Sequence, residues 1–216
     1  MPIFYPSAIL FDLDGVLVDS TATVERQWSV WAQRNGVDVK AILAISHGRR
    51  TVEVIRAVAP HLDAETEARE IEEQEALDHE GLTPVPGAAE LIRSVPDGRW
   101  GVVTSGPRYL QTGRLKFCGL PVPKVFITAD DVMHGKPDPE PYLRGAELLG
   151  VKPGDCLVIE DAPAGIQSAH AGGMKVVGLA STFAVETLAG ADIVVRNLAR
   201  IKVTSNGAGK LAVDIP

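Results

Sequence analysis

The chain has 216 residues, 45% hydrophobic and 23% charged, which suits one large globular domain or a domain with an insert and excludes a disordered protein. Twenty-one Lys and Arg face 28 Asp and Glu, a net charge of −7 that argues against a sequence-independent grip on nucleic acid. Apolar runs of about 18 residues are absent, so no membrane span is expected.

The N-terminus has neither a basic segment nor a long apolar core, so no signal peptide is read and the cytoplasm is the default compartment. A short apolar run over 8–11 leads into Asp12-Leu13-Asp14-Gly15, a strand ending in two carboxylates and a glycine. Alternation along an extended chain puts Asp12 and Asp14 on the same side. Two carboxylates so placed repel each other unless a cation lies between them, and oxygen ligands favour Mg²⁺. The bland alternative is a polar turn after a strand.

Nearly ninety residues then separate Phe11 from the next strand-like run at Trp100, far beyond an ordinary strand-to-helix connection. Their pattern predicts helices near 20–34, 38–45, 51–59 and 63–80, punctuated by Gly36, Gly48 and Pro60. The last of these holds nine acids (Asp63, Glu65, Glu67, Glu70, Glu72, Glu73, Glu75, Asp78, Glu80) against Arg69 alone; without it, 20 bases face 19 acids. The bulk acidity therefore belongs to one helix. Its apolar stripe of Ala64, Ala68 and Ile71 is thin. An anionic ligand would be repelled by acids on its route, so these are expected to point away from any cleft. Trp28 and Trp31 read as core of this unit before they read as a stacking platform.

Beyond it, apolar runs rich in β-branched residues recur at 100–104, 125–128, 156–159, 176–179 and 192–195, with helical stretches near 87–95, 107–118, 139–149 and 163–171 between most of them. Continuous hydrophobicity suits a parallel sheet covered on both faces. The fold class expected is α/β: a doubly wound, Rossmann-like core (1–18 and 84–216) with a helical cap (19–83) inserted after the first strand. Such a cap would sit over the carboxyl ends of the strands, where open α/β sheets bind ligands. The tail over 203–216 is weakly patterned.

Three of these runs end in further chemistry. Thr104-Ser105-Gly106 offers hydroxyls and backbone N–H groups ahead of a helix, a pocket for a phosphoryl oxygen. Gly135-Lys136-Pro137-Asp138-Pro139 holds one ammonium in a stiff loop. Glu160-Asp161 ends the run 156–159 at the edge where Asp12 and Asp14 stand, although Asp161 also suits a helix N-cap. Only Cys118 and Cys156 occur, too few for a disulfide framework, and Cys156 reads as a buried, inert thiol. Gly207-Ala208-Gly209-Lys210 lacks the spacing of a P-loop. Gly172-Gly173 reads as a helix end.

Taken together, these four motifs resemble those of the haloacid-dehalogenase-like superfamily, most of whose members are Mg²⁺-dependent phosphatases, and the resemblance covers almost the whole chain. His47-Gly48-Arg49-Arg50-Thr51 and the stretch from Phe126 to Leu143 resemble the glycerol-3-phosphatase and 2-deoxyglucose-6-phosphatase branch. The resemblance implies Asp12 as nucleophile, forming an aspartyl phosphate, and Asp14 as the acid and then the base. It implies Mg²⁺ held by the Asp12 carboxylate, the Asp14 carbonyl and Asp161, with Glu160 close by. Thr104, Ser105, Gly106 and Lys136 would neutralise the phosphoryl oxygens.

Dehalogenases of this superfamily do not keep an acid two residues after the nucleophile, where Asp14 stands here. β-Phosphoglucomutases carry a cap histidine ten residues after the second aspartate, where this chain has Val24. The expected activity is therefore hydrolysis of a small sugar or polyol phosphate by a monomer that binds neither nucleic acid nor membrane. The rivals are a β-phosphoglucomutase-like isomerase and a catalytically silent sugar-phosphate binder. Specificity would lie in the cap loop: His47, Arg49 and above all Arg50 could reach the substrate, or both arginines could be surface charges. Asp19 could help the cap close or serve as a helix N-terminal acid.

Overall fold

Ala8–Phe11 is buried along its whole length because it forms the middle of a sheet, with a parallel strand hydrogen-bonded on each side. The structure, a computed structural model, describes residues 3–205 and 210–215. Its strands are β1 (Ile3–Phe4), β2 (Ala8–Phe11), β3 (Val18–Asp19), β4 (Thr83–Pro84), β5 (Trp100–Val103), β6 (Val125–Ile127), β7 (Cys156–Glu160), β8 (Lys175–Leu179), β9 (Ile193–Val195), β10 (Lys202–Ser205) and β11 (Leu211–Asp214). Its α-helices are α1 (Thr21–Asn35), α2 (Val39–Ser46), α3 (Thr51–Val58), α4 (Ala64–Leu77), α5 (Ala88–Ser94), α6 (Arg108–Phe117), α7 (Glu140–Leu148) and α8 (Pro163–Ala171).

The main sheet has the order β6-β5-β2-β7-β8-β9 and every pairing in it is parallel. Strand alternation divides its side chains between two apolar layers. Ile9, Phe11, Leu157, Ile159 and Val177 fill one, while Leu10, Val103, Val158 and Val176 fill the other. This is the arrangement expected of continuous apolar runs, since both faces must be covered. Cys156 is buried in the second layer, and burial pushes its thiol up to about 12. No helix among the described residues is long and apolar enough to cross a membrane.

Helices α1–α4 form a separate cluster around Trp28, Trp31, Ile42, Val54, Ile55 and Ile71. The two indoles meet edge-on with centroids 5.6 Å apart, as core side chains. Chain enters and leaves this unit through the antiparallel pair β3 and β4, in which Val18 faces Pro84 and Asp19 faces Thr83. Arg26 of α1 grips Asp78, just past α4, through two hydrogen bonds of 2.8 Å and closes the unit near that neck.

The tail departs from expectation. β10 and β11 pair antiparallel, and β1 adds to β11 to make a second, three-stranded sheet. Alternation is present in Leu211 and Val213, buried, against half-buried Ala212 and Asp214. The strand partner lies at the other end of the chain, so no local pattern announces the pairing. Of the segment dismissed as a P-loop, Gly207, Ala208 and Gly209 lie outside the described residues.

Leu10 is fully buried beneath α7, where the Gly145 backbone comes close to it. Leu10→Ala is expected to lower the unfolding free energy by about 3 kcal/mol in chemical denaturation, through lost burial and the cavity left behind.

Candidate active site

Four parallel strands deliver their carboxyl ends to one edge, and the candidate residues follow them directly. Asp12 comes after β2, Thr104-Ser105-Gly106 after β5, Glu160 ends β7 and Asp161 follows it. Lys136 arrives on the loop between β6 and α7. The Asp12 N–H donates to the Ile159 carbonyl and the Thr104 N–H to the Ile127 carbonyl, so sheet register itself holds these residues side by side. Gly15 makes the turn after Asp14 with φ +82°, and a Cβ on it would lie 2.0 Å from Asp161 Oδ2. The glycine thus serves both the turn and the approach of Asp161.

Lys136 is fully buried, and its Nζ donates to Asp12 Oδ1 at 2.6 Å, Glu160 Oε1 at 2.7 Å and the Val103 carbonyl at 3.1 Å. Burial opposes its charge, but the carboxylates of Asp12 and Glu160 outweigh that and raise its pKa. Burial lifts Asp12 to about 8, with Lys136 pulling it back and Glu160 adding to the rise. Burial likewise raises Asp161 well above the usual carboxylate range, reinforced by Glu160 and Asp12.

Carboxylate oxygens of Asp12, Glu160 and Asp161 approach within 4.8 Å of one another. With all three ionised, these buried carboxylates would outnumber the one ammonium by two negative charges, which a single divalent cation removes. The donor set therefore fits a hard, oxygen-seeking metal. Within it the roles divide. Glu160 is already saturated: Oε1 accepts from Lys136 and from the Tyr142 hydroxyl at 3.0 Å, and Oε2 accepts from the N–H groups of Asp161 and Ala162. Its place is behind the lysine.

Asp14 is a half-buried carboxylate held by three donors, Ser20 Oγ at 2.7 Å, Gln111 Nε2 at 2.6 Å and Arg114 Nη1 at 2.7 Å. It opens onto a cleft of about 700 Å³, counting its solvent-filled mouth, that lies between the sheet edge and the helical unit. Asp12, Thr104, Ser105, Gly106 and Asp161 line it from the sheet side, and Val24, Trp28, Ser46, His47, Gly48 and Arg49 from the helices. The cap loop touches the core: Ser105 Oγ donates to the Gly48 carbonyl at 2.8 Å. Gly48 has φ +76°, and a Cβ on it would stand 2.9 Å from that of Ala162. Burial lowers the pKa of His47, whose ring meets Phe183 edge-on.

Two expectations need correction. Arg50 does not line the cleft, whereas Arg49 does. Arg50 turns to Glu53 of its own helix and donates to the Met133 carbonyl at 2.9 Å, fastening the cap to the loop that carries Lys136. Nor do all the acids of α4 point away. Most do: Arg56 takes Glu65, Trp31 and Arg34 take Glu67, and Arg34 also takes Glu70. Glu75, however, is buried, lines the cleft and pairs with Arg114 at 2.6 Å. It lies on the same helical face as Ala64, Ala68 and Ile71, where any charge must find a partner.

Arg114, Gln111, Glu75, Ser20 and Tyr142 were not singled out from the sequence. A signal did exist for three of them. Gln111 and Arg114 fall between Leu110 and Leu115 on the buried face of α6, and Glu75 continues the apolar stripe of α4. Polar residues at core positions of amphipathic helices ask for partners.

Comparison with known proteins agrees with this geometry. Residues 6–173 match the haloacid dehalogenase-like hydrolase family. The chain belongs to that family. It is 41% identical over 210 residues to hexitol phosphatase A of Escherichia coli, covering 95% of this chain and 97% of that one. It is 36% identical over 211 residues to glycerol-1-phosphate phosphohydrolase 2 of Saccharomyces cerevisiae, covering 91% and 84%. Among solved structures, a hydrolase from Pseudomonas syringae superposes with a TM-score of 0.78 at 27% identity, over 90% of this chain and 94% of that one. The β-phosphoglucomutase of Clostridium difficile does so with 0.77 at 25%, over 89% and 92%.

A Cβ on Gly165 would stand 1.5 Å from Glu160 Oε1. Gly165→Ala should therefore push Glu160 off Lys136 and lower the unfolding free energy by about 2 kcal/mol, read by denaturation. Burial lifts Glu72 of α4 to about 7, Glu75 and Asp130 adding to the rise while the Thr51 hydroxyl opposes it. A carboxyl that binds its proton more tightly folded than unfolded gives up stability as pH climbs from the unfolded value toward 7. Glu72→Gln is expected to stabilise the protein at pH above about 7, with the gain vanishing below about pH 4 in thermal melts.

Proposed function

We propose that this chain is a Mg²⁺-dependent phosphomonoesterase of small sugar or polyol phosphates, working through an aspartyl phosphate on Asp12. The observation that carries this reading is the buried Asp12–Lys136–Glu160 cluster beside Asp161, opening onto a cleft roofed by the cap. A carboxylate tied to a buried lysine at a cleft floor is oriented and ready to attack, and the charge deficit around it suits a bound dianion only with a cation present.

Mg²⁺ would be held by Asp12, Asp161 and the Asp14 carbonyl, and when bound it supplies the positive charge that keeps Asp12 ionised and neutralises phosphate. The protein's own residues do the rest. An Asp12 carboxylate oxygen bonds to phosphorus as the ester P–O bond breaks, and Asp14 gives its proton to the departing alkoxide oxygen. Asp14 then takes a proton from the water that attacks the acyl phosphate, freeing inorganic phosphate and the Asp12 carboxylate. Thr104, the Ser105 N–H and Lys136 hold the remaining phosphoryl oxygens, so positioning and electrostatics supply most of the acceleration. Contact between the Gly48 loop and Ser105 shields the reaction from bulk water.

The substrate class rests on the relatives, named for hexitol, glycerol 1-phosphate and, at 36% identity, 2-deoxyglucose 6-phosphate. His47 and Arg49 line the cleft from the cap, which supports a role for them in meeting substrate hydroxyls. Val24, which cannot move a proton, lines the cleft and stands ten residues after Asp14, the sequence position expected of a mutase's cap histidine. That favours hydrolysis over sugar-phosphate isomerisation.

Phosphate release from a panel of hexitol, hexose and glycerol phosphates tests the reading. Release is expected with Mg²⁺, should stop on chelation and return when Mg²⁺ is restored, and should produce no isomeric sugar phosphate. Asp12→Asn is expected to fall to background; wild-type rates in that variant would sink the mechanism.

A further inference from the structure

Arg114, which lines the cleft, hydrogen-bonds both to the proposed acid and base, Asp14, and to Glu75 of the cap. It lies on α6 of the core and is buried at 4% exposure, yet its two Nη atoms diverge. Nη1 donates to Asp14 Oδ1 at 2.7 Å and Nη2 to Glu75 Oε2 at 2.6 Å, and Glu75 belongs to cap helix α4. Gln111, one turn earlier on α6, takes the other Asp14 oxygen at 2.6 Å. The side chain of Gln111 occupies the space a Cβ on Gly106 would need, at 2.2 Å from that position. The strand end that offers Ser105 and Gly106 and the helix that orients Asp14 are thus fitted to each other.

A guanidinium is a planar fork with donors on separate edges, so it can hold two carboxylates at once in fixed directions; an ammonium cannot. Burial makes the arrangement conditional. Arg114 without Glu75 is a buried cation with one partner, and Glu75 without Arg114 is a buried anion with none of this compensation. When α4 lies against α6, the one guanidinium pairs with both carboxylates at once. Glu75 belongs to α4, so a displacement of that helix would break its bond to Arg114.

Resting on the proposed phosphatase reading, we propose that Arg114 is a positioning residue for Asp14 and that Glu75 makes its hold depend on the cap being seated. Cap closure and the orientation of the proton-transfer group are then two sides of one coupling, as linkage requires. A substrate that draws the cap down also sets the acid.

A leaving-group comparison separates this role from a merely structural one. The sugar or polyol phosphate that the wild type hydrolyses fastest needs a proton on its departing oxygen, while acetyl phosphate releases acetate without one. The double variant Arg114→Met, Glu75→Gln removes both buried charges together and so preserves the fold, checked by its thermal melt. Its kcat/KM is expected to fall about 100-fold on the alkyl ester, within the range of general acid catalysis, and less than about 3-fold on acetyl phosphate. Arg114→Lys, which keeps the charge but reaches one carboxylate at a time, should recover part of the alkyl-ester rate. Equal losses on both substrates, or no loss on either, overturn the inference and leave the phosphatase reading intact. Release from neither substrate by the wild type overturns that reading and the inference with it.

Discussion

Everything at the sheet edge depends on one buried ammonium. Lys136 is without solvent contact, and an isolated charge in that position would be intolerable. It is tolerated because Asp12 and Glu160 flank it and the Val103 carbonyl takes a third donor. That arrangement dictates the neighbourhood. Glu160 must be held by Tyr142 and by two backbone N–H groups, Gly165 must lack a side chain, and β5, β2 and β7 must be adjacent in register. Parallel pairing supplies that adjacency without further design, since all three strands end at the same edge. Asp161 then brings a third buried carboxylate, and the cluster with all three ionised would carry two negative charges more than the protein balances.

Charge is handled differently in the cap. Its acidic helix turns most of its carboxylates to solvent or to exposed arginines, where each pair contributes little. Glu75 is buried, and its burial is tolerated because α6 of the core presents Arg114 to it. Arg50 adds a second tie by reaching carbonyls of the loop that ends in Lys136. The helical unit is therefore anchored through the loops that carry Lys136 and Ser105, so its position and the geometry of the cleft floor are physically joined.

Reading the chain alone goes far where one segment contains the whole signal. Apolar runs bounded by acids and glycines identify the strands of the main sheet and place Asp12, Asp14, Thr104 and Asp161 at their ends. The four cap helices and their Trp28, Trp31 core follow from periodicity. Arg50 shows where such reading stops: its motif marked it as a substrate ligand, yet its side chain finds Glu53 one helical turn away and two carbonyls over eighty positions distant. The tail shows the same limit, because β10 and β11 become a sheet only beside β1.

The sequence by itself determined the layered α/β core, the inserted helices and the residues that meet at the sheet edge, because local hydrophobic pattern decides each strand and parallel strands end together. Tertiary structure alone decided which charges are partners. Arg114 stands 100 positions from Asp14 and 39 from Glu75, and no local pattern fixes such pairings. They are set by how the cap packs on the core, where burial makes an unpartnered charge costly and Glu75 meets Arg114.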